Sequence, residues 1–277
     1  MEKREITLGH SPDPDDAFMF YALAADKIET EGLTFRHIIE DIETLNRRAM
    51  ESELDVTAIS IHAYAYVLDQ YALLTSGASM GDNYGPIVVA RKPMTIDELR
   101  RATIGVPGKM TTAYLTLRLC LGDPNVKVIP FDQIMDAVER GEVDAGLLIH
   151  EGQLTYLSRG LEKIIDLGEW WKSETGLPLP LGGNAIKKSL GPELIEKVSR
   201  LLKESIEYGL ANREPAVRHS LKYARGMATD MADKFVGMYV NRYTIDYGDE
   251  GREAVRLLLD RAHEAGIIPR PVLLEFA

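Results

Sequence analysis

The spacing of hydrophobic positions divides the chain at about residue 190. Before that point, short apolar runs alternate with segments whose apolar residues recur every three or four positions. This pattern is typical of βαβ units and predicts an α/β fold with a mostly parallel sheet. Strands are predicted at Ile6–Gly9, Leu33–Ile39, Val56–Ile59, Leu73–Thr75, Ile87–Arg91, Thr103–Val106, Val126–Pro130, Ala145–Ile149, Lys163–Leu167 and Pro180–Lys187. Helices are predicted at Asp15–Ala25, Ile42–Glu51, His62–Gln70, Thr111–Leu121 and Phe131–Arg140.

After about Gly191 the pattern becomes helical throughout. Consecutive helices are predicted at Pro192–Tyr208, Glu214–Ala224, Asp230–Asn241 and Asp249–Ala265. No strand-like run interrupts them. The predicted architecture is therefore two α/β lobes followed by a C-terminal helical segment that packs on the first lobe.

Two extended segments are candidates for the connections between the lobes. Residues 85–93 and 176–184 are apolar and are bounded by Gly together with Pro or Asn, as hinge strands between domains are. The alternative is that both are simply Pro-rich edge strands. With hinges at these segments, residues 1–90 and 185–277 are expected to form a larger, discontinuous lobe and residues 91–184 a smaller one.

Composition and charge limit the classes of partner. The chain has 277 residues, a formal net charge of −11 and one cysteine, Cys120. This acidic balance argues against nucleic acid and anionic membranes, because binding to either needs clustered positive charge. The N-terminus shows no secretory signal pattern, and no run of about 18 apolar residues occurs that could span a membrane. The protein is expected to be cytoplasmic and to bind a small molecule.

Polar residues collect where predicted strands end and helices begin. Four such junctions occur, at residues 10–16, 59–62, 107–112 and 149–152. In α/β folds ligands bind at these ends, because free backbone N–H groups and helix dipoles meet there. Ser11, Ser60 and Thr111 are therefore candidates to bind a substrate carboxylate, although Ser60 and Thr111 are equally well explained as helix N-caps.

His150 is the candidate for catalysis. It follows the apolar run 144–149 and should lie just beyond the carboxyl end of a buried strand. A histidine with an ordinary pKa of about 6.5 can accept a proton at neutral pH, and Glu151 beside it could tune that pKa.

Common cofactor motifs are absent from the sequence. It contains no GxGxxG, GxxxxGK[ST] or HExxH pattern. The acidic residues Asp13, Asp15 and Asp16 could bind a metal, but such residues also cap helices. Neither a cofactor nor a metal is expected.

Several stretches together resemble one enzyme family. They are Ser11–Tyr21, Asp41–Asn46, Gly85–Ala90, Val106–Gly108, Thr111–Tyr114, Gly146–Glu151, Trp170–Trp171 and Thr175–Gly182. Their order and spacing, from about residue 5 to about residue 260, resemble the 1,4-dihydroxy-6-naphthoate synthase family of the futalosine route to menaquinone. The resemblance implies a type II periplasmic-binding-protein fold used for catalysis.

The resemblance also implies a reaction and a set of residues. Family members are lyases that convert cyclic dehypoxanthine futalosine to 1,4-dihydroxy-6-naphthoate, without a redox cofactor or metal. The family's general base corresponds to His150, in a cleft between the lobes, and its substrate contacts correspond to Ser60, Thr112 and Ala113. Ser11, Thr111 and Asn184 complete the predicted substrate-binding set, and a homodimer is possible.

One departure from the family pattern concerns the substrate. Some members carry a lysine where this chain has Ala58, so His62 or Lys109 is a candidate to replace the missing cation. Two other functions stay open. One is chorismate dehydratase of the same pathway, and the other is a non-catalytic protein that binds a small anion.

Overall fold

The computed structural model describes residues 4–150, 152–224 and 227–277. The chain divides into two compact units. Unit 1 comprises Met1–Met80, Gly182–Arg252 and Val272–Ala277, and unit 2 comprises Gly81–Leu181 and Glu253–Pro271. This division assigns residues 81–90 and 253–271 to unit 2, whereas the bounds expected from the sequence assign them to the larger lobe, and it assigns residues 182–184 to unit 1, whereas they were expected in the smaller lobe.

Strands alternate with helices over the first 187 residues. The strands are β1 (Arg4–His10), β2 (Leu33–Ile39), β3 (Val56–Ser60), β4 (Tyr71–Leu73), β5 (Ser79–Gly81), β6 (Ile87–Ala90), β7 (Thr103–Val106), β8 (Asn125–Val128), β9 (Ala145–Leu148), β10 (Glu162–Asp166) and β11 (Leu179–Lys187). They form two sheets. One sheet has the order β2-β1-β3-β11-β4, with β5 paired to β11, and the other has the order β10-β6-β9-β7-β8.

The helices vary from single turns to long amphipathic rods. They are α1 (Pro14–Met19), α2 (Tyr21–Ala24), α3 (Ile42–Met50), α4 (Ile61–Tyr64), α5 (Ile96–Leu99), α6 (Thr112–Leu121), α7 (Ile134–Glu139), α8 (Gly152–Thr155), α9 (Leu167–Thr175), α10 (Pro192–Ala211), α11 (Arg213–Ser220), α12 (Thr229–Tyr239), α13 (Arg242–Ile245) and α14 (Gly248–Glu264). In the described ranges, none of them is both long enough and apolar enough to cross a bilayer.

Both sheets are mixed, so the prediction of mostly parallel sheets was wrong. Strand β1 runs parallel to β2 and β3, but β11 runs antiparallel to β3 and β4. In the second sheet, β7 is parallel to β8 and β9, whereas β6 is antiparallel to β9 and β10. A strand buried on both faces has the same apolar composition in either direction, so the sequence pattern does not record the direction.

Some predicted helices are shorter than expected. The predicted helix 15–25 is broken at Phe20 into α1 and α2, and the predicted helix 62–70 is only the four-residue α4. Helix α9 was missed. It starts where Asp166 accepts hydrogen bonds from the backbone N–H groups of Gly168 and Glu169, which is an N-cap.

Each unit has its own hydrophobic core. In unit 1 the core includes Ile6 and Leu8 of β1, Phe18 of α1, and Leu202 and Ile206 of α10. Helices α10 to α13 lie in unit 1, whereas α14 belongs to unit 2 from Glu253 onward. The expected packing of the whole helical segment on the first lobe therefore needs correction for α14.

Unit 2 has two hydrophobic clusters. One joins β6, β7 and β9 to residues of α6, such as Leu117, and the other includes residues of α7, such as Val138. The two sheets and their cores fix the positions of the strand ends at which the candidate site residues lie.

Candidate active site

Ser60 and Asn184 share one face of the unit 1 sheet. Strands β3 and β11 are antiparallel, with Ser60 opposite Gly182 and Ala58 opposite Asn184. Residues opposite each other in an antiparallel pair, and residues two apart on a strand, project to the same face. Since Ala58 and Gly182 carry little or no side chain, the polar groups of this four-residue block come from Ser60 and Asn184.

Asn46 of α3 holds Ser60 by two hydrogen bonds. The Ser60 backbone N–H donates to Asn46 Oδ1 at 2.9 Å, and Asn46 Nδ2 donates to Ser60 Oγ at 3.0 Å. Both residues are buried, at 0% and 3% exposure. Because a backbone N–H can only donate, the nearby amide atom must be oxygen, and the NH₂ group must face Oγ. The orientation of the Asn46 amide is therefore fixed by chemistry.

Asn184 presents a buried amide nitrogen. The residue is 1% exposed, and within the described ranges its Nδ2 has no hydrogen-bond partner. Gly77 makes this arrangement possible, because a Cβ at residue 77 would overlap the Asn184 amide. A buried amide N–H that lacks an acceptor is costly unless a ligand supplies one.

Ser11 is bound within its own turn. Its hydroxyl donates to Asp13 Oδ2 at 2.6 Å, and its backbone N–H donates to Asp16 Oδ2 at 2.7 Å. Asp13 occupies the N-cap position of α1, but its side chain makes no capping hydrogen bond there. These contacts give both carboxylates a role in ordering the turn.

In unit 2, His150 and the start of α6 lie at the same edge of the sheet. Strands β7 and β9 are parallel, with Ile104 opposite Ala145 and Gly105 opposite Gly146. Their carboxyl ends therefore meet at one edge, where β7 leads to α6 and β9 leads to His150.

His150 has an unusual backbone conformation. Its φ is +58°, in the left-handed region that few residues other than glycine adopt. The half-buried imidazole packs edge-on against the Phe131 ring at 4.8 Å between centroids, and the Gln153 N–H donates to the His150 carbonyl oxygen. Glu151, which was expected to tune the imidazole, lies outside the described residues.

The two threonines at the start of α6 use their hydroxyl groups internally. Thr111 caps the helix: its hydroxyl donates to the Gly108 carbonyl and accepts from the Tyr114 N–H. The Thr112 hydroxyl donates to the Leu181 carbonyl at 2.5 Å. The backbone N–H of Ala113, in the first turn, has no carbonyl four residues earlier within the helix to bond, so it is the better candidate donor here.

Ser60 thus differs from the other predicted hydroxyls. Ser11, Thr111 and Thr112 each donate their hydroxyl hydrogen to a protein acceptor. Ser60 Oγ instead accepts a hydrogen bond, and the described residues provide no recorded acceptor for its hydrogen. Asn46 was not among the site residues predicted from sequence, although it lies in the stretch 41–46 that contributed to the family resemblance.

The two residues considered as substitutes for the missing lysine have different surroundings. His62 is buried at 3% exposure on α4, with its ring 5.7 Å from that of Tyr66. Lys109 is exposed in the loop before α6.

Two histidines, the buried His10 and the half-buried His37, lie beside the Ser11 turn. His10 Nδ1 is 3.1 Å from the Ser11 carbonyl oxygen, and His10 Nε2 is 3.1 Å from His37 Nδ1. Since the carbonyl can only accept, neutral His10 carries its hydrogen on Nδ1, and His37 Nδ1 must donate to His10 Nε2. Burial is the largest cause that lowers the pKa of both histidines to about 4.

The fold defines the class of protein: two α/β units with mixed sheets, of the type II periplasmic-binding-protein kind. The alkanesulfonate-binding protein SsuA from Xanthomonas axonopodis pv. citri, bound to MOPS, superimposes with a TM-score of 0.72 at 11% identity, covering 100% of both chains. At that identity the likeness concerns the fold alone. The sequence matches the family described as "Menaquinone biosynthesis" over residues 6–264. The chain belongs to the 1,4-dihydroxy-6-naphthoate synthase family of menaquinone biosynthesis, a family of lyases.

Similar proteins match over nearly the whole chain. A protein of Thermus thermophilus named 1,4-dihydroxy-6-naphtoate synthase is 39% identical, over 97% of this chain and 99% of its own length. A protein of the same name from Streptomyces coelicolor is 37% identical, over 97% and 96%. The crystal structure of protein AF1704 from Archaeoglobus fulgidus is 46% identical, with a TM-score of 0.92 over 95% of this chain and 98% of that one. The predicted family and fold are confirmed.

Proposed function

We propose that the chain is a 1,4-dihydroxy-6-naphthoate synthase that converts cyclic dehypoxanthine futalosine to 1,4-dihydroxy-6-naphthoate, with His150 as the general base. The observation that carries the proposal is that β7 and β9 end at the same sheet edge, which brings His150 and the first turn of α6 to one end of unit 2. A base and oriented N–H donors at one edge suit proton removal from a substrate held by a carboxylate.

Unit 2 contributes the base and one set of donors. His150 removes a proton, while the Ala113 N–H and the positive end of the α6 dipole attract an anionic group. The Thr111 and Thr112 hydroxyls support this turn by their bonds to Gly108 and Leu181. The two threonines then act on the substrate mainly through the backbone that they hold in place.

Unit 1 contributes two side-chain donors. Ser60 directs its hydroxyl hydrogen away from Asn46, and Asn184 carries an amide N–H that lacks a protein acceptor in the described residues. Because Asn184 lies opposite Ala58, its amide is a better placed substitute for the family's lysine than the exposed Lys109. Ser11 is proposed to contact substrate only as an acceptor, because its hydroxyl hydrogen is bound to Asp13.

The test is turnover by the purified protein. Cyclic dehypoxanthine futalosine is the substrate, and formation of the naphthoate is followed by chromatography. His150→Asn is the preferred variant, because asparagine tolerates the left-handed backbone found at residue 150. Loss of a general base is expected to lower kcat by about 10²- to 10⁴-fold. Full activity of this variant would remove His150 from the mechanism.

A matched control is His263→Asn. His263 is another half-buried histidine of unit 2, on α14, and its Nδ1 is 3.4 Å from the Ile268 carbonyl oxygen. This variant should keep the wild-type kcat. If both variants lose activity equally, the loss reflects damage to unit 2 and not the removal of a base.

The same assay separates the alternative functions. Consumption of chorismate by the wild-type protein, without conversion of the futalosine, would favour the dehydratase. Tight binding of a small anion with no turnover of either compound would favour the non-catalytic alternative. The cytoplasmic location and the homodimer expected from the sequence stay predictions.

A further inference from the structure

Asn46 controls which way the Ser60 hydroxyl can donate. The Asn46 NH₂ group occupies an acceptor position on Ser60 Oγ, so the hydroxyl hydrogen cannot point toward Asn46. The backbone N–H of Ser60 locks the amide in this orientation. In a flipped amide the NH₂ group would face this N–H, and two donors would then point at each other. The arrangement therefore makes Ser60 a donor to a third group.

We propose that Asn46 is a positioning residue that makes Ser60 an obligate hydrogen-bond donor to an acceptor oxygen of the substrate. The inference rests on the proposed function and adds to it the identity of the recognised group, which is a carboxylate or carbonyl oxygen. A group that can only donate would be bound poorly, because the Asn46 NH₂ already occupies one acceptor position on Oγ and the Ser60 hydroxyl hydrogen would stay without an acceptor.

Burial strengthens this selection. Asn46 is fully buried and Ser60 is 3% exposed, so water competes poorly for the hydroxyl hydrogen. Asn46 is also anchored independently of Ser60, because it lies on α3, which Asp41 caps by accepting a hydrogen bond from the Thr44 N–H. The amide is thus held in place before a ligand arrives, which lowers the entropy cost of forming the hydrogen bond.

The decisive variant is Asn46→Asp, which has nearly the same shape. One carboxylate oxygen can still accept from the Ser60 N–H, but the other now accepts the Ser60 hydroxyl hydrogen and withdraws it from the substrate. Loss of a hydrogen bond to a charged acceptor is expected to raise KM about tenfold to a hundredfold. The change in kcat should stay within about threefold, because the contact binds ground state and transition state alike.

A double-mutant cycle shows whether the effect runs through Ser60. Ser60→Ala should raise KM by a similar factor, and adding Asn46→Asp to Ser60→Ala should cause little further change. If Asn46→Asp raises KM by the same factor in both backgrounds, the effect is charge repulsion or a general disturbance, and the inference is refuted. A merely structural role would lower the unfolding temperature without this dependence on Ser60.

Asn125→Asp is the matched control. Asn125 also donates its amide NH₂ to a hydroxyl, Thr103 Oγ1 at 2.9 Å, but the pair is exposed on unit 2. KM should not change in this variant. Should Asn46→Asp fail to fold, Asn46→Ala replaces it, and the part of its effect on KM that comes from the lost bond between Asn46 Nδ2 and Ser60 Oγ must disappear in the Ser60→Ala background. A wild-type protein that does not turn over the futalosine would refute the proposed function, whereas additive effects in an active protein would refute only the role of Asn46.

Discussion

Acid should destabilise unit 1 through the pair formed by the buried His10 and the half-buried His37. Burial lowers the pKa of both imidazoles from 6.5 to about 4, so the folded protein keeps them neutral while the unfolded chain protonates them below pH 6.5. The unfolded state therefore binds more protons in this window, and the free energy of unfolding falls as the pH falls. The contribution of the two neutral histidines to the free energy of unfolding is complete above about pH 6.5 and is lost as the pH drops to about 4.

The size of the effect follows from the two pKa values. For one histidine that shifts from 6.5 to about 4, lowering the pH from 7 to 5 costs about 2 kcal/mol of unfolding free energy. If both members of the pair stay neutral, the cost is about 4 kcal/mol, a large share of the stability of an ordinary domain. The two rings are 5.2 Å apart and share a hydrogen bond, so they titrate as a coupled pair.

Urea unfolding at pH 7, 6 and 5 measures this loss in the wild type and in His37→Asn. The asparagine amide can still donate to His10 Nε2 but does not titrate, so the loss between pH 7 and pH 5 should fall by about half. Phe20→Leu is the matched control, because the Phe20 ring packs 5.1 Å from that of His10 and carries no titrating group. It should lower stability equally at all three pH values. An unchanged pH dependence in His37→Asn would refute the assignment to this pair.

Two further predictions concern the candidate site. Gly77→Ala should lower stability by more than Gly32→Ala, and it should also raise KM. Both glycines have φ above +80°, so both changes strain the backbone, but only at residue 77 would a Cβ meet the Asn184 amide. Thermal unfolding and steady-state kinetics measure this, and equal effects of the two changes would contradict a role for Gly77 in seating Asn184. Thr112→Val should cost about 1–3 kcal/mol, because it leaves the Leu181 carbonyl without the hydroxyl, whereas Thr112→Ser should keep most of the stability. Equal stability of the valine and serine variants in urea unfolding would show that this bond contributes little.

Local features of the fold were predictable from sequence. Strands β2 and β7 have the predicted bounds, and helix α6 begins one residue after its predicted start because Thr111 is its N-cap. Strand direction was not predictable, because the pairing of β11 with β3 joins segments more than 100 residues apart and both strands are buried whichever way they run. The short strand β5 and helix α9 were missed for a related reason, since neither has enough periodic apolar positions to stand out.

The candidate residues were found from their positions, but their bonding was not. Junctions between strands and helices drew attention to Ser60, Thr112 and His150, and family resemblance added Ala113. Which hydroxyl is available to a ligand depends on contacts between distant residues, such as Asn46 with Ser60 and Thr112 with Leu181. These contacts follow from sheet register and helix placement, so no local pattern in the sequence encodes them.

Residues 275–277 cover the outer side of β4. The Leu73 N–H donates to the Glu275 carbonyl, the Ala277 N–H donates to the Leu73 carbonyl, and the Thr75 N–H donates to the Ala277 carbonyl. Without these bonds, β4 would offer an open row of backbone groups to any other extended chain, a common start of aggregation. Variants that disturb Phe276 and its neighbours are therefore expected to aggregate more readily than the wild type.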